Sequence, residues 1–265
     1  MSAPYFTDGR VELHLGDMRE ILPALGVTAD CIVADPPYGE TSLPWDRWPD
    51  GWLEAAAAVT RSMWCWLPFR QFAAAPYRGI EFDAAGWRLS HDAEAEWDHV
   101  TWEKNTGSGP AADRLRRVHE PVSHWYQGRW DGVYRNVPRL PHDGPFKGTV
   151  VKKNDRAAYR SGGSYPPRDW VDDGKRAART IIRSTNLRGK AIHPTEKPAD
   201  VLGVLITYAC PSGGLVIDPF AGSGSTLDAA RCSGRRAIGI EADERYCEVA
   251  ARRLAQADLF AGGAA

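Results

Sequence analysis

Seven short apolar, β-rich runs bounded by turn residues punctuate the chain, near 10–15, 30–35, 62–67, 97–102, 121–126, 215–218 and 236–241. Helical patterns rich in Ala and Leu lie between several of them, at roughly 17–25, 52–60, 197–209, 225–233 and 243–257. Strands alternating with helices predict an α/β domain on a mostly parallel sheet. Residues 130–190 supply no convincing strand–helix unit, and the chain then resumes the alternation. The organisation expected is therefore residues 1–129 as the first part of the α/β domain, 130–190 as an insertion, and 191–265 as its second part. A length of 265 residues suits one large domain with an insertion.

Charge is distributed to match. The net charge is only −1, yet residues 1–100 hold 7 basic and 16 acidic residues, residues 101–190 hold 19 and 9, and residues 191–265 hold 7 and 9. Within the basic third, residues 147–190 carry 12 Lys and Arg against 4 acids, with Gly162, Gly163, Pro166, Pro167 and Gly174 and few aliphatic runs. Such a stretch buries little apolar area alone. It is either a solvated loop or a nucleic-acid-contacting segment with salt-dependent binding. No apolar run approaches the roughly 20 residues of a membrane span, and the N-terminus lacks a signal-peptide pattern. Cysteines 31, 65, 210, 232 and 247 form no CxxC pair and no zinc spacing, so the expectation is a reduced, cytoplasmic setting without a metal site.

Three motifs carry chemistry. The first, Asp35-Pro36-Pro37-Tyr38-Gly39, directly follows the run Cys31–Ala34. The prolines remove two donors and stiffen the chain, leaving carbonyl acceptors beside a carboxylate and an aromatic plate. That combination suits a flat ring bearing an exocyclic amino group; the plainer reading is a rigid strand-end turn. At ~5% per residue type, a given tetrapeptide arises by chance in roughly one such chain in a thousand. The second is Asp218-Pro219-Phe220-Ala221-Gly222-Ser223-Gly224-Ser225-Thr226, after Leu215-Val216-Ile217. This reads as strand, glycine loop and helix start, where backbone approaches a ligand closely. A nicotinamide site would need glycine at Leu227, and the Gly-Lys-Ser/Thr ending of a P-loop is absent. Glu241 follows Gly222 by 19 residues, at a strand end where an acid binds ribose hydroxyls. The third is His193-Pro194-Thr195-Glu196-Lys197-Pro198, which taken alone reads as a helix cap.

Together these motifs resemble the amino-group DNA methyltransferases that use S-adenosylmethionine. The order, with the catalytic motif before the cofactor motif, resembles the family's circularly permuted β class. The likeness runs from Gly16-Asp17 to about Leu254, apart from the basic insertion. It implies a doubly wound, mostly parallel seven-stranded sheet with an inserted target-recognition segment, and with the strands ending in Asp35 and Asp218 adjacent at the topological switch point. It implies that Asp35 and the Pro36 carbonyl grip the target amino group, with Pro37 in the same motif, and that Tyr38 stacks on a flipped base. Asp218, Phe220, Gly222 and Gly224 would hold the methionine part of the cofactor, with Ser225 and Thr226 at the helix start. Glu241 would take the ribose, and Asp17 with Met18 would meet the adenine. Asp35 would also border the cofactor, and Lys197 matches a further cofactor position. Trp102 to Asn105 and His119-Glu120 resemble the base-pocket region. Ser225 stands where Thr is more usual.

Double-stranded DNA is the partner implied, contacted by Lys104, Asn105, Arg114, Arg116, Arg117, Lys152, Lys153 and Arg156. A homodimer and a cognate restriction enzyme are compatible with the family. Asp at position 35 favours adenine N6, the cytosine-N4 enzymes more often carrying Ser there. A catalytically silent DNA-binding relative and an RNA or small-molecule methyltransferase are the other readings. Several features have blander ones. His119 and His124 are five apart with Pro121 between them, which spoils a zinc helix. Most tryptophans, including Trp45, Trp48, Trp52, Trp64 and Trp66, are expected in the core, with one or two lining a DNA cleft. The C-terminal helix with Arg245, Arg252 and Arg253 reads as a surface helix.

Overall fold

The computed structural model describes residues 3–39, 41–42, 46–67, 82–89, 99–108, 113, 115–141, 173–184 and 196–261. Trp45, Arg114, Lys152, Lys153, Arg156 and residues 193–195 lie outside the described residues. The strands are β1 (Phe6–Thr7), β2 (Val11–Leu15), β3 (Cys31–Ala34), β4 (Ser62–Trp66), β5 (Arg88–Leu89), β6 (His99–Ser108), β7 (Arg117–Tyr126), β8 (Arg139–Pro141), β9 (Lys175–Ala177), β10 (Ile181–Ser184), β11 (Leu215–Asp218) and β12 (Arg236–Glu241). The helices are α1 (Met18–Leu25), α2 (Trp52–Val59), α3 (Ala199–Ala209), α4 (Ser225–Cys232) and α5 (Glu244–Ala261).

Residues Met1–Val137 and Arg179–Ala265 form one compact unit, and Pro138–Ala178 form another. In the first, the sheet runs β1-β2-β12-β11-β3-β4-β7-β6-β10, with β5 beside β7. All seven strands expected from sequence are there, as β2, β3, β4, β6, β7, β11 and β12. From β2 to β4 neighbours are parallel, whereas β7 runs antiparallel to both β4 and β6. β11 lies beside β3, with Ile217 opposite Ile32. The sheet has ten strands rather than seven, because β1, β5 and β10 are added. β10 falls inside the range expected to be an insertion, yet it pairs parallel with β6, Ile182 opposite Trp102.

The sheet is covered on both faces, which explains its continuous hydrophobic strands. Alternate residues of β3 face opposite ways. Cys31 and Val33 pack with Val201, Leu205, Leu227 and Leu254 from α3, α4 and α5. Ile32 and Ala34 pack with Leu22, Trp52 and Leu53 from α1 and α2. Trp52, Trp64, Trp66, Trp87, Trp102 and Trp125 are all buried, as most tryptophans were expected to be. His119 and His124 lie on a strand, not a helix. His124 is fully buried on Ser62 at 2.9 Å, and burial holds its imidazole at about 3, so it is a neutral core group.

In the second unit, β8 and β9 pair antiparallel with Arg139 opposite Ala177. Ala178 N donates to Pro138 O at 2.7 Å, and Arg139 meets Asp173 at 2.8 Å. Among the described residues no helix is long and apolar enough to cross a membrane, and no His, Cys, Asp or Glu cluster could hold a metal ion.

Candidate active site at the strand ends

Four neighbouring parallel strands deliver an acid each to the same end of the sheet. Asp35 follows β3, Asp218 ends β11, Glu241 ends β12, and Asp17 lies two residues beyond β2. Strand register produces this alignment: Glu241 stands opposite Leu15, and Gly16 N donates to Glu241 O at 2.9 Å. A cavity of about 830 Å³ opens over these ends. It is lined by Asp17, Met18, Asp35, Pro36, Pro37, Tyr38, Lys197, Asp218, Phe220, Gly222, Ser225, Thr226 and Glu241. The two motifs, far apart in the chain, thus meet where an open α/β sheet binds ligands.

Gly224 alone among the expected cofactor residues is absent from that lining. It precedes α4 with φ of +76°, and a Cβ there would stand 3.0 Å from the Ala250 Cβ. Its glycine is required by backbone handedness and by contact with α5. Leu227 occupies the helix position where a dinucleotide site has glycine, and the close approach is made from the strand instead. A Cβ on Gly239 of β12 would sit 2.5 Å from Leu227 Cδ1.

The acids differ in their surroundings. Burial raises the Asp218 carboxyl to about 7, although Thr226 and the Phe220 N–H, at 3.0 Å, hydrogen-bond to it. Asp35 and Glu241 add repulsion in the same direction. Burial also raises Glu241, which accepts from Gly222 N at 2.8 Å and Asp243 N at 2.9 Å. Asp17 caps α1 through Arg19 N at 2.8 Å, and the Arg19 side chain holds its carboxyl below the ordinary range.

Asp35 is engaged on both oxygens. The Tyr38 hydroxyl donates to Oδ1, and the Lys197 ammonium donates to Oδ2 at 2.5 Å. Burial, with Asp35 next in weight, drives the Tyr38 phenol well above its usual value. Lys197 is buried, with Nζ 5.4 Å from the centre of the Trp66 ring and 3.7 Å from Glu120 Oε2. Burial opposes its charge, but Asp35 and Glu120 outweigh this and raise it.

Of the residues expected to meet DNA, the four described ones, Lys104, Asn105, Arg116 and Arg117, are outside the cavity lining. Lys104 lies over Trp102 at 4.8 Å and pairs with Glu120. Asn105, Arg116 and Arg117 are exposed on the β6 and β7 strands or just before β7. The C-terminal helix departs from the surface reading at one residue. Arg245 and Arg252 are exposed, but Arg253 turns inward, donating to Ser223 Oγ at 3.2 Å and pairing with the buried Glu196. Its position was legible in principle: Cys247, Ala250 and Leu254 form the buried stripe, and 253 flanks it.

Asp46 was not found from sequence. It is 6% exposed and accepts from the backbone N–H groups of Tyr38 and Gly39 at 2.8 Å and of Thr41 at 2.6 Å. A single carboxylate thus fastens the loop that carries Tyr38. Nothing in hydrophobic periodicity marks such a residue.

The sequence model of the N6/N4 DNA methylase family matches residues 29–252. The chain is 27% identical to the type II methyltransferase M.ScaI of Streptomyces caespitosus, over 96% of this chain and 84% of that protein. Its fold is similar to that of M1.HpyAVI solved as a complex with SAM, with a TM-score of 0.61 at 19% identity, over 92% of this chain and 99% of that one. It is also similar to the PvuII DNA methyltransferase, described as cytosine-N4-specific, with a TM-score of 0.60 at 15% identity, over 95% and 89%.

Proposed function

The chain belongs to the N6/N4 DNA methylase family, and from that premise we propose that it methylates the N6 amino group of an adenine flipped out of double-stranded DNA. S-adenosylmethionine is its cofactor and DNA its substrate. Asp35, at the head of the catalytic motif, carries the choice of adenine. The cytosine-N4 alternative needs the same grip on an amino group.

The cavity's chemistry fits the cofactor. Asp17 and Asp35 are paired with Arg19 and Lys197, whereas burial, reinforced by neighbouring acids, raises Asp218 to about 7 and also raises Glu241. S-adenosylmethionine supplies the methyl group from a sulfonium and brings an ammonium and a ribose diol. Asp218 and the glycine loop would hold the amino-acid end, Glu241 the ribose, and Asp17 with Met18 the adenine. A bound cation favours ionised Asp218, so binding releases its proton. Affinity should therefore rise with pH through about 7 and level off above it. The cofactor's Kd is expected to be roughly tenfold lower at pH 8 than at pH 6, by titration calorimetry. Asp218→Asn should remove that slope, and a flat wild-type profile would count against the assignment.

The target nitrogen is a poor nucleophile because its lone pair is delocalised into the ring. Asp35 and the Pro36 carbonyl would each accept a hydrogen bond from one of its N–H groups and aim the lone pair at the methyl group. As the N–C bond forms and the S–C bond breaks, the nitrogen becomes cationic and gives up one proton to Asp35 or water. Orientation of this kind supplies roughly 7–11 kcal/mol. The Asp35 charge also offsets positive charge growing on the nitrogen. Extruding the base costs a few kcal/mol, against which Tyr38 stacking returns about 1–3 kcal/mol. Residues 130–190 remain the proposed recognition segment, within which Pro138–Ala178 is a compact unit of its own.

The deciding experiment is to methylate DNA with labelled cofactor, digest it to nucleosides, and identify the labelled one. N6-methyl-2′-deoxyadenosine is expected. N4-methyl-2′-deoxycytidine would overturn the choice of base, and no labelled nucleoside from any DNA would overturn the reading.

A further inference from the structure

Lys197 lies between two carboxylates of different duty. Asp35 follows β3, Trp66 ends β4, and Glu120 lies on β7, and these three strands are consecutive in the sheet. The acids therefore flank an indole, and the Lys197 ammonium sits over that indole, 2.5 Å from Asp35 and 3.7 Å from Glu120. Glu120 also holds Lys104 on its other oxygen, and Arg117 contributes to its field.

That arrangement conflicts with the role of Asp35. With Tyr38 on one oxygen and Lys197 on the other, about half of the Asp35 acceptor sites are taken before the amino group arrives. A fixed ammonium on the same carboxylate also repels the positive charge that develops on the methylated nitrogen. Something has to receive Lys197, since a buried ammonium cannot be left unpaired.

We propose that Glu120 is a positioning residue for methyl transfer: it is the second seat of Lys197, which crosses from Asp35 to Glu120 as the target amino group arrives. The proposal rests on the methyltransferase reading above. Closing 3.7 Å to an ordinary hydrogen bond requires a shift on the order of 1 Å. The Trp66 face keeps the ammonium in favourable contact along the way. After the shift Asp35 regains its full charge at the reacting nitrogen. Glu120 then holds two lysines, an arrangement that returns Lys197 once the methylated base departs.

The test uses Glu120→Gln and Glu120→Asp in the full chain, with DNA from an unmethylated host as acceptor. Glu120→Gln should lower kcat about 100-fold, the scale of a 1 Å misplacement, with the cofactor's Kd within about twofold of wild type. Glu120→Asp, which keeps the charge, should recover most of that loss. A kcat within about twofold of wild type in Glu120→Gln, equal losses in both variants, or a parallel loss of cofactor affinity would overturn the proposal. A structure of wild-type protein with DNA and a cofactor analogue lacking a transferable methyl provides a second reading that no folding defect can blur. Lys197 Nζ within about 3.2 Å of Glu120 and away from Asp35 supports the shift; Lys197 still on Asp35 overturns it. Wild-type protein that methylates no DNA would instead fail the functional reading, and the proposal with it.

Discussion

Asp35→Ala should reduce methyl transfer by roughly a thousandfold or more while leaving the cofactor's Kd within about twofold. Two contributions are lost together. One is the acceptor that orients the amino group, and misplacement alone costs about 100-fold. The other is a fixed charge aimed at developing positive charge, and removing such a group typically costs about 10²–10³ in kcat. The variant should fold, because Lys197 retains Glu120 at 3.7 Å and is not left as an unpaired buried cation. Asp35→Asn is the sharper control, since it preserves shape and a hydrogen-bonding oxygen but not charge. Single-turnover transfer of a labelled methyl group, measured beside cofactor titration, separates the step from binding. Turnover within a few-fold of wild type in the alanine variant would remove Asp35 from the mechanism.

Asp46→Ala should have the second largest effect, although Asp46 touches no reacting atom in the reading above. Its carboxylate accepts three backbone N–H groups from the loop after the catalytic motif. Burial works against its charge, but a hydrogen bond from the Thr41 side chain together with those backbone bonds prevails and holds the carboxyl below its ordinary value. Hydrogen bonds to a charged group contribute about 1.5–3 kcal/mol each and are not additive, so about 3–5 kcal/mol is expected here. The lowered value gives the sign of the pH effect. This stabilisation is present at neutral pH and is lost as pH falls through the acid range below 3.8. Denaturant titration at pH 7 should show the loss, and the difference between variant and wild type should shrink at low pH. Because the loop carries Tyr38, kcat should fall about 100-fold as well. A variant of wild-type stability would mean that water replaces the carboxylate on those amides.

The strand framework was legible because apolar runs such as Cys31–Ala34 and Leu215–Ile217 are buried on both faces and announce themselves by composition. The cavity lining was legible because the chemistry demands acids at strand ends, where the motifs put them. What sequence did not reveal shares a cause. β10, with two residues half-buried and two exposed, is a strand because the β6 edge recruits it, not because Ile181-Ile182-Arg183-Ser184 insists on it. Arg253 and Asp46 act through polar contacts with residues 57 and 8 positions away at their widest. Periodicity sets Arg253 beside a buried stripe but names neither its partner nor those of Asp46. Lys197 is assigned by likeness to a cofactor position and lines the cavity; its pairing with Asp35 and Glu120 was not legible, since only the folded sheet brings β3 and β7 within reach of one ammonium.

The single hydrogen bond from Ala178 N to Pro138 O has a consequence for how such a protein can change over generations. The second unit begins and ends at one doorway. Lengthening or rewriting the chain between those two residues costs closure entropy that grows only logarithmically with length, about 0.6 kcal/mol per doubling. The acids belong to the four parallel strands of the other unit, so a change of length between Pro138 and Ala178 leaves their register as it is. If that excursion is the recognition segment, as proposed above, a change of target site need not touch the acids at the strand ends.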